Sequence, residues 1–159
     1  MRDIVKASEA PFRYAWQLVN EYLKVCPDSV WQAKNGGYPV WQQMLHAIWV
    51  LDYFFVCGEG DTPLPAPADL DTLLFKKQGS GVVGKAEVLE YANKVIVRVD
   101  AWIAALKDSD LPKKNDALSA KLGNDFTFAG TLIAMSAHTQ YHIGSCDSAL
   151  RDNGIQGVY

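Results

Sequence analysis

Three histidines occur in the chain, at positions 46, 138 and 142. His138 and His142 stand four residues apart in the stretch LIAMSAHTQYHIGSCDSAL. On a helix turning 100° per residue, that spacing leaves the two side chains about 40° apart and one turn removed. Imidazoles so placed can converge their ring nitrogens on one divalent ion, at about 2.0–2.1 Å for zinc. Phe128, Thr131, Met135, Tyr141 and Ala149 fall on the same helical face, and Gln140, Asp147 and Arg151 on the opposite one. Both rings are therefore expected to point inward. The alternative is a set of core histidines, each held by hydrogen bonds. Burying several imidazoles together without an ion leaves polar atoms short of partners, which favours the metal. Cys146 is a fourth candidate ligand, but at about 80° round from His138, and with a short side chain, it reads as a small core residue.

The elements that must position these residues are helical. Phe12, Trp16, Val19 and Leu23 recur at three- and four-residue steps, so a first helix is expected, capped by Ser8, with Pro11 in its first turn and its end near Cys26-Pro27. After the turn-rich PDSVWQAKNGGYP, Pro39 opens a second helix expected to reach about Cys57. It carries His46 and is apolar nearly all round. Trp41, Met44, Ile48, Leu51 and Phe55 form one stripe, with Trp49, Val50, Tyr53 and Cys57 beside His46 on the other. Such a helix is either fully buried or shared between a core and a partner. A homodimer burying Met44, Ile48, Leu51 or Phe55 is accordingly expected.

Residues 58–84 form a long Pro/Gly-rich connection with a short helix at Asp69–Phe75, long enough for the next helix to run parallel to the second. A third helix spans about Lys85–Lys107, with Val88, Ala92, Val95, Val99, Trp102 and Leu106 in register. Its KVIVRV run also reads as a strand, but the stripe on both sides favours helix. KDSDLPKKNDALSAKLGN reads as a polar connector, and a fourth helix spans about Thr127–Asn153, stopping at Gly154. No segment reads as a strand. The expected fold is all-α, a four-helix bundle over residues 1–159 as one domain, with a long crossover between helices 2 and 3.

Composition narrows the function classes. The net charge is −3 and no block of Lys and Arg stands out, so neither nucleic acid nor an anionic membrane surface has an electrostatic footprint to bind. The start, MRDIVKASEAPFRYAWQ, has no apolar signal-peptide core. AIWVLDYFFVC is too short to span a bilayer and carries Asp52. Cys26, Cys57 and Cys146 are odd in number and scattered, which suits a reducing cytoplasm rather than a disulfide framework. GSGVVGKA, residues 79–86, matches most of a phosphate-binding loop. It lacks the preceding strand and has Ala86 where a hydroxyl should meet Mg²⁺, so it reads as a loop.

The histidine in MLHAIWVLDYFF and the motif HTQYHIGSCDSALRDNG together resemble the DinB/YfiT-like superfamily, over essentially the whole chain. The resemblance implies an up-down-down-up bundle and assigns His46, His138 and His142 as ligands of one divalent ion, usually nickel or zinc. Many members have Gln after the motif's glycine, where this chain has Ser145. Characterised members include thiol-dependent S-transferases and a maleylpyruvate isomerase that uses a low-molecular-weight thiol; others are described as metal-dependent hydrolases. A small-molecule substrate and a low-molecular-weight thiol cofactor are implied. Three neutral ligands leave a coordination position open, as catalytic sites do and closed structural sites do not. The competing class is a non-catalytic bundle that an ion only stabilises.

Two finer expectations concern the surroundings. Each ligating imidazole should give its other N–H to an acceptor, with Asp100 favoured over Asp52, and Tyr141 is expected to pack. Metal affinity should fall in mild acid, near the ordinary imidazole value of about 6.5.

Overall fold

A computed structural model describes residues 2–57 and 61–159. Most of the described chain is helical, and the exception is a small antiparallel hairpin. Gly58, Glu59 and Gly60, where the long connection was expected to begin, lie outside the described residues.

Helix α1 spans Asp3–Val25 and buries Val5, Phe12, Ala15, Leu18, Val19, Tyr22 and Leu23 along one stripe. It begins five residues before the expected Ser8 cap. The carboxylate of Asp108 accepts from the amides of Asp3 (3.1 Å) and Val5 (3.0 Å), satisfying the first turn from a distant part of the chain. Pro11 consequently sits inside the helix rather than in its first turn.

The linker is more ordered than its composition suggests. Helix α2 (Asp28–Trp31) is followed by strands β1 (Lys34–Asn35) and β2 (Tyr38–Pro39), paired Lys34 to Pro39 and Asn35 to Tyr38. Gly36 and Gly37 have φ of 61° and 93°, the pair of left-handed positions a two-residue hairpin turn requires. The expectation of no strand is thereby corrected. Two-residue strands are too short to show alternation.

Helix α3 (Val40–Val50) runs on without a break into π-helical turns over Leu51–Val56. Met44, Ile48, Leu51 and Phe55, the residues expected to face a second copy, are buried within the chain itself. Trp49 and Val50 on the other stripe are buried too. The first stripe is thus buried within the chain, while on the second Tyr53 is exposed and Cys57 half-buried. Polar residues buried on this helix must be satisfied internally. Gln42 donates to the carbonyls of Thr72 (2.7 Å) and Lys77 (2.8 Å), and Gln43 to those of Asn35 (2.6 Å) and Tyr38 (3.1 Å).

The crossover carries helix α4 (Leu70–Leu73), where Asp69 caps the amides of Asp71 and Thr72. Asp52, fully buried in the π-helical turns, accepts from Leu64 N (2.7 Å) and lies 2.9 Å from the Arg98 guanidinium. Helix α5 (Lys85–Ala105) buries Val88, Tyr91, Ala92, Val95, Val99 and Ile103. Residues 79–84 are a loop leading into it, and Lys85 and Ala86 are the first two residues of the helix. Gly79 N donates to Gln42 (3.1 Å), and Lys85 reaches the Cys26 carbonyl (2.6 Å) and Asp28 (3.1 Å).

The stretch expected as a polar connector folds into a 3-10 turn at Asp108–Asp110 and helix α6, Asp116–Leu122. Asn115 caps α6 by accepting from Leu118 N (3.0 Å), and Gly123 ends it at φ 71°. Helix α7 spans Phe128–Asp152, capped by Thr127 and followed by Gly154 at φ 73°. The long helices pack α1 on α7, α7 on α3, α3 on α5 and α5 on α1.

Candidate metal centre

Packing of α3 against α7 brings all three histidines together. His46 lies in the second turn of α3, and His138 and His142 lie mid-way along α7. Their potential ligand atoms all fall within 4.8 Å of one another. Ring centroids are 5.2 Å apart for His46–His138, 4.8 Å for His46–His142 and 4.7 Å for His138–His142. Among the described residues, Cys146 is not part of this group. It is fully buried, its thiol is pushed up by that burial, and its carbonyl accepts from the Tyr22 hydroxyl (3.0 Å).

The hydrogen bonds decide which nitrogens are free. His46 Nδ1 lies 2.5 Å from the Leu73 carbonyl. A carbonyl can only accept, so Nδ1 carries the proton and neutral His46 presents a bare lone pair at Nε2. That nitrogen faces His138 Nε2 at 3.3 Å. A tetrahedron with arms of 2.0–2.1 Å has edges of about 3.3 Å, so the separation fits two imidazoles on one ion. The Nδ1 atoms of His138 and His142 are buried with no partner. A cation held at Nε2 leaves His138 Nδ1 without the acceptor expected of a ligating imidazole, which His46 alone of the pair finds, in Leu73. Three neutral imidazole nitrogens are a donor set that suits zinc or nickel.

Electrostatics keep those nitrogens available. Burial lowers the pKa of all three rings; together with the neighbouring imidazoles it brings His138 to about 4 and His142 to about 3. For His46 the Leu73 carbonyl opposes burial, and Lys121 acts with it. At neutral pH every ring is uncharged. Burial therefore works against protonation of the ring nitrogens that an ion would need.

The surroundings differ from expectation. Asp100 is turned away, paired with Arg13 of α1. Asp52 is committed to Arg98 and Leu64. The acceptor for His46 is a main-chain carbonyl of the crossover, and no side-chain signal could have announced it. Tyr141 meets the His142 ring edge-on at 5.1 Å, yet is 73 % exposed. Asp147, assigned to the outer face, is buried, because the chain after α7 folds back over it: Arg151 Nε (2.7 Å) and Val158 N (2.5 Å) both donate to its carboxylate.

Two further residues brace the site. Phe75, at φ 56°, lays its ring 4.3 Å from that of His46 and 4.6 Å from that of Tyr38. A non-glycine residue held there is one the surrounding structure over-determines. Ser145 donates to Gln43 Oε1 (2.8 Å), tying α7 to α3 one turn from His46.

With that geometry in place, the family model of the DinB superfamily matches residues 12–146, a span that includes all three histidines. The chain belongs to the DinB superfamily. None of the curated proteins matches it significantly.

Proposed function

We propose that this member of the DinB superfamily is a metal-dependent enzyme acting on a small molecule, with His46, His138 and His142 holding one nickel or zinc ion. The carrying observation is the convergence of the three imidazoles, whose ligand atoms lie within 4.8 Å of one another, with the Nε2 atoms of His46 and His138 at 3.3 Å. Three neutral ligands leave a place for a guest, and a low-molecular-weight thiol is the guest proposed. When bound, the ion supplies a Lewis acid that favours the thiolate, or hydroxide, over its protonated form. The residues of the chain do the rest. The Leu73 carbonyl fixes the His46 tautomer, Phe75 presses on its ring, and the apolar surroundings keep the imidazoles neutral. Transfer to a thiol is the first reading and hydrolysis the second.

The same reading takes the chain as one domain, an up-down-down-up four-helix bundle. Pairs between elements support it. Gln43 meets Ser145 and His46 meets His138, so α3 and α7 run oppositely. Arg2 meets Leu106 while Lys85 meets Cys26, which makes α1 and α5 antiparallel. Among the described residues no helix is long and apolar enough to cross a membrane. A cytoplasmic homodimer is proposed, its contact made elsewhere than the buried stripe of α3.

Elemental analysis of the purified protein tests the metal: about one ion per chain is expected, lost in His142→Ala. Cobalt-loaded protein tests the open position. Its visible spectrum should change when a small thiol is added; a spectrum indifferent to thiol and to other ligands would return the protein to the non-catalytic class.

A further inference from the structure

A cavity of about 240 Å³ opens on His46 and His138. Its other walls are apolar, among them Phe54, Leu118 and Ala134, with a single exception, the ammonium of Lys121. The π-helical turns after α3 bring two consecutive residues, Phe54 and Phe55, to this wall. Turns of that kind recur at functional sites because they displace side chains from the regular helical register.

Lys121 stands in the last turn of α6. Lys76, Lys77, Lys85, Lys94, Lys113 and Lys114 each pair with a carboxylate. Lys121, an exposed residue, pairs with no carboxylate among the described residues, as is true of Lys6, Lys24, Lys34 and Lys107, but it alone of these lines the cavity, and its Nζ lies 5.6 Å from the centre of the Phe54 ring. One unmatched cation beside an apolar hollow selects for one negative charge. A second anionic group would be desolvated there with no partner. The volume lies below the roughly 300–1,000 Å³ of drug-sized sites, so the occupant is compact.

We propose that this cavity is the substrate chamber and that it takes a small, mainly apolar monocarboxylate, whose charge is met by Lys121 and whose body lies against Phe54 and Leu118. The inference rests on the reading of the histidine cluster as a site for small-molecule chemistry. It makes Lys121 a positioning and specificity-determining residue.

The test is calorimetric binding of phenylacetate and of neutral phenylacetamide to the full-length protein, zinc-loaded and metal-free, in wild type, Lys121→Met and Lys121→Arg. Wild type should prefer the acid in both metal states, and the preference should weaken as salt rises. Lys121→Met should bind the acid about tenfold more weakly and no longer discriminate, while Lys121→Arg keeps the preference. Zinc stoichiometry should be the same in all three proteins. Equal binding of acid and amide to wild type, unchanged binding to Lys121→Met, or no binding at millimolar phenylacetate overturns the proposal. Acid binding that needs zinc but not Lys121 places the carboxylate on the ion and also overturns it. Failure to take up zinc counts against the metal reading alone, since the metal-free comparison still reports on Lys121.

Discussion

His46 of α3 and His138 of α7 stand 92 residues apart in sequence, yet their Nε2 atoms face each other at 3.3 Å. Two ring nitrogens at that distance need a proton or a cation between them, and His142 brings a third ring to the same group.

Metal should therefore stabilise the fold. Zinc at a hundredfold over its dissociation constant is expected to add about 2.7 kcal/mol. The melting temperature of wild type should rise with zinc, while that of His142→Ala should barely respond. An equal rise in both proteins would place the ion elsewhere.

Acid should weaken the metal-free protein. The pKa values of His138 and His142 are lowered to about 4 and about 3 in the folded chain, against about 6.5 when unfolded. Between those limits the unfolded state binds more protons, so stability falls as pH drops from 6.5 towards 3. Urea midpoints across that range should shift steeply in wild type and more gently in a His138→Gln, His142→Gln variant. Matching slopes would mean that the rings are not held neutral by burial.

Asp52 offers a test independent of the metal. Its carboxylate is 0 % exposed and pairs with Arg98 and Leu64 N. Removing the arginine strands a fully buried carboxylate, so Arg98→Ala should cost about 3–5 kcal/mol. Replacing both Asp52 and Arg98 by leucine should recover part of that loss. A melting temperature within a degree or two of wild type for the single variant would contradict the buried pair.

The chain after α7 is held by Asp147. A Cβ at Gly157 would collide with both its carboxylate oxygens and with the Arg151 guanidinium. Gly157→Ala should therefore release this segment and speed amide exchange at Val158 and Tyr159, with little change in metal content. Unaltered exchange there would show that the contact is dispensable.

The sequence disclosed the long helices and the histidine set because each depends on periodicity, and period 3.6 survives in α1, α3, α5 and α7. What it concealed depended on contacts made across the chain. Ser8 looked like the first cap until Asp108 took that role from 105 residues away. Asp147 looked solvated because helical position alone cannot foresee a returning segment. Helix α6 escaped notice since seven residues show too little of a stripe, although Leu118 is buried. With it went Lys121, whose significance lies in what it faces rather than in its neighbours along the chain.

The contact between His46 and Leu73 involves a main-chain oxygen, so no exchange of side chain at position 73 removes it. The orientation of the imidazole is thus insulated from most single substitutions in the crossover. It answers instead to the path of the backbone, so an insertion or deletion between Asp69 and Phe75 could retune the site where a library of point variants at Leu73 would leave it unmoved.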